Sequence, residues 1–233
     1  YTHLLGMPGK NGPRGTNLIQ TYFRQELPQR SPIPRWKYYA NALKYEGNPV
    51  LPSVKIPPSA TEWAESYRGS TVLSPFTTHG TRNWLLPNWL ALEAELIKAG
   101  HKVLIIDHDR DKHRCNPFKS KKVLQQPPHH IASIVQDANC LVSADSGMAH
   151  LGGILGVKTV VLCGFTVGDK IFAAYPSVNS LQGILPCSGC YGQNPYQGIC
   201  NQVCASLQTI TVERVMQAIG SPIITVEKPA VKP

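Results

Sequence analysis

The sequence has no apolar run long enough to cross a bilayer. A spanning helix needs ~20 consecutive apolar residues, and the longest runs here are short, such as Val103–Ile106 and Val160–Cys163. A helical membrane span is therefore excluded for this chain. The first residues, Tyr1 to Gly6, form no charged-then-apolar signal segment. The chain does not begin with Met, so its natural start is expected upstream. There is no internal repeat and no low-complexity segment. Neither G-x-x-x-x-G-K-[ST] nor a strand-linked G-x-G-x-x-G occurs, which leaves a P-loop or an ordinary dinucleotide site without support. Acidic residues are scarce: Asp plus Glu is 14 against 23 Lys plus Arg, a net charge of +9. That balance favours anionic partners, whether nucleic acid, phosphorylated small molecules or an acidic membrane surface.

What is present suffices for a packed core. The 233 residues, 42% of them hydrophobic, fit one large domain or a domain with a substantial arm. Residues 1–60 carry much of the charge: Lys10, Arg14, Arg24, Arg30, Arg35, Lys37, Lys44 and Lys55 against Glu26 and Glu46. This stretch is rich in Pro and Gly. It reads as an irregular basic arm or the remnant of another domain, with short helices at Asn17–Leu27 and Arg35–Tyr45. Pro49, Pro52, Pro57 and Pro58 then favour extended chain. Residues 61–220 form the expected domain, with a Cys-rich insertion at 187–204, and 221–233 form a tail.

From residue 70 the pattern alternates. Strands are expected at Thr71–Ser74, Lys102–Ile106, Val123–Leu124, Cys140–Ala144 and Lys158–Cys163. Helices are expected at Leu85–Ala99, His129–Ala138, Ser146–Leu155 and Thr211–Ile219, with Gly100 and Gly156 as stops. Such alternation predicts an α/β fold: a doubly wound parallel sheet covered on both faces. Ligands then bind beyond the carboxyl ends of the strands.

Three strand ends stand out for their chemistry. After Thr71–Ser74 come Thr77, Thr78, flexible Gly80 and cationic Arg82. After Cys140–Ala144 comes Asp145-Ser-Gly-Met-Ala-His150, where strand turns into helix and offers backbone N–H groups at the positive end of a helix dipole. After Lys158–Cys163 comes Gly164-Phe-Thr166. On one edge of a parallel sheet these supply amides, hydroxyls, an Arg fork and a His, which suits a diphosphate. Asp107, at the end of another strand, is placed to meet a ribose hydroxyl, although the charged residues His108 to Arg114 read equally as a solvated loop.

Seven cysteines divide by spacing. Cys115, Cys140 and Cys163 stand alone, the last two in strand-like runs. Cys187-Ser-Gly-Cys190, nine residues, then Cys200-Asn-Gln-Val-Cys204 has ligand spacing for a structural zinc. Disulfides and free thiols are the open alternatives.

The run Val142-Ser-Ala-Asp-Ser-Gly-Met-Ala-His-Leu-Gly-Gly-Ile-Leu-Gly156, followed by a strand and Gly164-Phe-Thr166, resembles the signature of the heptosyltransferase-type glycosyltransferases, family 9. Thr77-Thr-His-Gly-Thr-Arg-Asn-Trp84 resembles that family's Thr-Thr-x-x-x-Lys-x-Trp element, with Arg82 at the Lys position. The resemblance covers residues 70–220. It implies the Rossmann-like, donor-binding half of a GT-B enzyme that takes a nucleotide-diphospho-sugar and passes the sugar to a glycan or glycolipid acceptor. The implied donor contacts are Thr77, Thr78, Arg82, Ser146 and Gly147, with Asp145 and His150 shaping the turn and Gly164 and Thr166 beside it. It also implies catalysis without a metal, a carboxylate base in an N-terminal acceptor domain, and a cytoplasmic enzyme of lipopolysaccharide synthesis; the basic arm and charged surface, for their part, suit peripheral membrane contact with anionic lipid-linked acceptors. Several family members carry a comparable Cys-rich insertion. The chain departs from the pattern in having only a short irregular N-terminal segment, Phe165 in place of Pro, and Arg82 in place of Lys. No catalytic residue is identified. Two other classes fit the charge and the cysteines: a basic zinc-knuckle module for nucleic acid, and a non-catalytic relic of the family.

Overall fold

The computed structural model describes residues 51–107, 112–191, 200 and 203–220, together with isolated positions among residues 34–47. The helix expected at Asn17–Leu27 lies outside the described residues. Of Arg35–Tyr45 only Lys37 and Ala40 are described as helical.

Six parallel strands form one sheet: β1 (Thr71–Ser74), β2 (Val103–Asp107), β3 (Lys121–Leu124), β4 (Cys140–Ala144), β5 (Thr159–Cys163) and β6 (Val178–Gln182), in the order β3-β2-β1-β4-β5-β6. Register is continuous across the centre, with Leu73 opposite Ile105 on one side and Val142 on the other. Strands β1, β2, β4 and β5 are buried at every residue. Apolar residues on both sides of the pleat are what a sheet covered on both faces requires. The edge strands differ. Lys121 and Lys122 keep β3 partly in water, and β6 is half-exposed along its length.

Alternate residues feed two cores. Leu73, Ile105, Val142, Val160 and Leu162 pack with Trp89, Leu92 and Leu96 of α2 (Leu86–Lys98) and Val215 and Ile219 of α6 (Val212–Gly220). On the opposite face, Val72, Leu104, Ile106 and Leu141 meet Ala64 of α1 (Pro58–Ala64) and Ile131, Ile134 and Val135 of α3 (Pro128–Gln136). That face continues through α4 (Gly147–Leu155) to a third cluster, where Ala149, Val161 and Cys163 pack with Phe172 and Tyr175 beyond the short α5 (Gly168–Ile171). Among the described residues, no helix is long and apolar enough to cross a membrane.

Most of the expected elements are present, and three features differ. Pro57 and Pro58, read as extended chain, start α1: Pro57 is its N-cap and Pro58 stands in its first turn, where a missing N–H costs nothing. Strand β6 and helix α5 were not foreseen, because an edge strand with Asn179, Ser180 and Gln182 shows no apolar run. Helix α4 ends at Gly156, whose φ of 71° is the left-handed stop expected of it. Inside α4, a Cβ on Gly152 meets Leu141 Cδ2 at 2.9 Å and collides with Thr159 Oγ1. The helix reaches the sheet only because this position has no side chain. Gly152→Ala is therefore expected to lower the unfolding free energy by roughly 1–3 kcal/mol through overpacking, read by urea denaturation. Gly100→Ala is a poor comparison because of its φ of 83°, whereas Gly147→Ala, with nothing within 4 Å of its Cβ, is the control expected to unfold like the parent.

Candidate anion site at the strand reversal

The strand order reverses between β1 and β4. From β1 the chain enters α2 on one face, and from β4 it enters α4 on the other. The loops part at this point and leave a crevice at the carboxyl ends of the strands. A cavity of about 300 Å³ occupies it, lined by His79, Arg82, Asp145, Ser146, Gly147, His150, Phe165, Thr166, Ile171 and Tyr191.

The loop after β1 is folded by its own side chains. Thr77 N–H donates to Asn83 Oδ1 at 2.8 Å, and the Thr77 hydroxyl donates to the His79 carbonyl at 2.9 Å. Trp84, buried to 1% exposure, anchors the loop by donating from Nε1 to the Ile210 carbonyl at 3.1 Å. A 3₁₀ turn at Gly80–Arg82 then delivers Arg82 to the cavity, where Nη1 donates to the Asp145 carbonyl at 3.2 Å. The Arg82 guanidinium makes no other hydrogen bond or ion pair among the described residues. Most of the guanidinium fork is thus left to a ligand.

The second wall is the β4–α4 turn. Ser146 caps α4 by accepting the Met148 N–H at 3.2 Å, and its hydroxyl lies 3.2 Å from that of Ser143. The Cβ direction of Gly147 opens into empty space, so a ligand can approach the first amides of a nine-residue helix at their positive end. Beneath them Asp145 is 5% exposed, and its carboxylate accepts from the Thr166 hydroxyl at 2.7 Å. His150, one turn along α4, lies 3.1 Å from the Tyr175 hydroxyl through Nδ1 and packs against the Phe172 ring at 4.8 Å.

Six of the nine residues expected at a ligand site therefore line one cavity: Arg82, Asp145, Ser146, Gly147, His150 and Thr166. The other three do not. Thr78 is exposed on the loop and Thr77 spends its hydroxyl within it. Gly164 lies under the 3₁₀ turn Leu207–Thr209, where a Cβ would meet Leu207 N at 2.6 Å. Asp107 is also absent from the lining. Its carboxylate is held bidentately by Arg114, Nε and Nη2 each at 2.5 Å, and accepts from the Cys115 thiol at 3.5 Å. That pair positions the Asp107 carboxylate at the end of β2. His79, Phe165, Ile171 and Tyr191 line the cavity without having been expected there. Phe165 stood in a run already marked as unusual. Tyr191 carried no signal, since it arrives through a long-range bond from its N–H to the Phe165 carbonyl at 3.0 Å.

All seven cysteines are free thiols in the structure. Among the described residues no group of three or more His, Cys, Asp or Glu is arranged to hold a metal ion. Cys187, Cys190, Cys200 and Cys204, whose spacing predicts a structural zinc, do lie near one another: Cys187 and Cys200 act electrostatically on Cys190, and Cys190 and Cys200 on Cys204, which packs beside Leu207. Burial pushes the thiols of Cys115 and Cys140 up to about 12, with the Asp107 carboxylate adding to the rise at Cys115. Burial also raises Cys190 and Cys204, more modestly. At pH 8 a thiol of pKa 12 is ionised to only about one part in ten thousand, and the thiolate is the reactive form. Native protein treated with iodoacetamide is expected to label at half-exposed Cys187 and Cys200 first. Cys115, Cys140 and Cys163 are expected to stay unmodified until denaturant is added, as read by peptide mass mapping.

No family model and no curated protein matches the sequence. Solved structures do match the fold. The family 9 glycosyltransferase from Veillonella parvula superposes with a TM-score of 0.67 at 16% identity, covering 82% of this chain and 60% of that one. The ADP-heptose LPS heptosyltransferase II of Escherichia coli gives 0.61 at 16% identity, covering 75% and 54%. The iron-containing dodecameric glycosyltransferase TibC of E. coli gives 0.55 at 16%, covering 74% and 48%. The chain therefore has a Rossmann-like α/β fold of the family 9 heptosyltransferase kind, and it spans between about half and three-fifths of the length of these structures.

Proposed function

We propose that this chain is the donor-binding part of a glycosyltransferase, holding a nucleotide-diphospho-sugar for transfer to a glycan or glycolipid acceptor. The observation that carries the reading is the meeting of Arg82 with the N-terminus of α4 at the strand reversal. A diphosphate spreads its charge over several oxygens. An Arg fork on one side and the open amides at Gly147 on the other offer donors to each phosphate. The matching fold of enzymes whose names specify ADP-heptose supports a nucleotide-sugar as the ligand class.

Each residue has a part in this reading. Arg82 and the Ser146–Gly147 turn neutralise the charge that grows on the diphosphate as the glycosyl bond breaks. They do so without a metal as an obligatory partner, because fixed donors preorganised toward that charge stabilise it directly. Asp145 is the only carboxylate among the described lining residues. Buried and bonded to Thr166, it braces the turn and does not accept a proton from the acceptor. The base is assigned to an acceptor-side domain outside the described residues.

Calorimetry with ADP, GDP and UDP tests the site. Two or three charged hydrogen bonds at ~1.5–3 kcal/mol each give micromolar binding. Arg82→Ala is expected to raise the dissociation constant by about tenfold or more, for the loss of one charge-assisted contact. Arg82→Lys is expected to recover part of it. Binding of none of the three at millimolar concentration, or an Arg82→Ala protein that binds as tightly as the parent, removes the reading.

A further inference from the structure

We propose that His79, Phe165 and Tyr191 form an aromatic corner that receives the glycosyl group of the donor, and that they thereby set which sugar is accepted. The inference rests on the donor reading above and adds a subsite to it. Phe165 stacks on His79, ring centroids 5.8 Å apart at 18°, and meets Tyr191 nearly edge-on at 4.8 Å and 68°. All three rings line the cavity that contains Arg82 and Gly147, and Tyr191 is 46% exposed. Aromatic side chains left open in a cavity are large apolar faces awaiting a partner.

The shape argues for a sugar over a base. A flat base is best held between parallel faces. Here the parallel pair, His79 and Phe165, is already in mutual contact, and the second pair meets at a steep angle. A corner of two faces suits a thick ring with C–H groups on more than one side. Hydroxyls of such a ring have polar neighbours in the same cavity, in His150 and the Ser146 hydroxyl. Position agrees with shape. The cavity draws its lining from the loops after β1, β4 and β5 and beyond, and from nothing in β2 or β3. A diphosphate held at the start of α4 therefore shares its cavity with the corner, which takes its rings from the loops after β1 and β5 and from Tyr191.

The corner is also braced. Thr81 Oγ1 lies 2.8 Å from His79 Nδ1, and Tyr191 N–H donates to the Phe165 carbonyl at 3.0 Å. Gln182 at the end of β6 fixes the Phe165 loop from below, donating from Nε2 to the Thr166 carbonyl at 2.9 Å and to Ser188 Oγ at 2.7 Å.

The test titrates the whole chain with ADP, GDP and UDP, and with ADP-glucose, GDP-mannose and UDP-glucose. For the nucleotide that binds, Tyr191→Ala and Phe165→Leu are expected to weaken the nucleotide-sugar about tenfold while the diphosphate stays within about twofold. Tyr191→Phe keeps the ring and is expected to keep the affinity. Tyr191 is exposed enough that its truncation spares the core, and unchanged thermal midpoints certify both variants. Equal loss for both ligands overturns the subsite in favour of a nucleoside platform, and no loss for either overturns it outright. A parent protein that binds a diphosphate but gains nothing from any of the three sugars also overturns the subsite while leaving the donor reading standing. A parent that binds no diphosphate at all brings down the donor reading and the subsite with it.

Discussion

A buried carboxylate under the cavity holds the site together. Asp145 is almost wholly withdrawn from water, a costly state unless its oxygens are hydrogen-bonded. The Thr166 hydroxyl meets that demand from the loop after β5. The Asp145 carbonyl accepts Arg82 from the loop after β1. Three loops far apart in the chain are thus joined at one residue on the end of β4. Arg82 is held by a neutral carbonyl and not by an acid. Its position is fixed while no acid among the described residues pairs with it, which is what an anion site requires of an arginine.

The sheet makes this meeting place available. Because β1 and β4 are neighbours whose following helices depart to opposite faces, no helix among the described residues covers the gap between them. Approach of α4 to the sheet depends on Gly152, and approach to the helix's first amides depends on the open side of Gly147. Two glycines a turn and a half apart therefore serve different ends, one packing and the other access. The run from Val142 to Gly156 does not by itself say which is which; the contacts a Cβ would make do.

The sequence made the central strands legible because burial on both faces makes β2, β4 and β5 predominantly apolar, with Asp107, Ser143 and Thr159 as buried polar exceptions. It did not reveal β6, whose half-exposed edge carries Asn179 and Ser180, nor α1, where a Pro-Pro pair looks extended until its second member is seen to start a helix. The site was legible where local chemistry and position coincide, as at Ser146, Gly147 and Arg82. It failed at Thr77, since a hydroxyl near a strand end has no preference between a ligand and its own loop, and the Thr77–His79 bond decides it. The Asp107–Arg114 pair was not legible, because the charged residues from His108 to Arg114 read equally as a solvated loop. Tyr191 was invisible for a different reason. Its place depends on a backbone bond to a residue distant in the chain, and periodicity carries no information about such pairings.

The rim of the cavity is held by polar clamps more than by the core. The loops that carry Phe165, Thr166 and Ser188 meet the core through Phe165 and are otherwise positioned by directed bonds. Gln182 supplies several of these: its amide oxygen accepts Gly168 N–H at 3.1 Å, its amide nitrogen reaches Thr166 and Ser188, and its carbonyl accepts Arg214 Nη2 at 3.2 Å. Arg214 lies on α6, which closes the apolar face against α2. One glutamine therefore connects the rigid layer of the fold to the loops that shape the cavity. An edge strand is the natural place for it, because a central strand would bury the side chain among apolar neighbours and leave these loops unsupported. The weak strand signal at β6 and the definition of the rim thus have one cause: a polar edge that is poor at announcing a strand is good at holding loops.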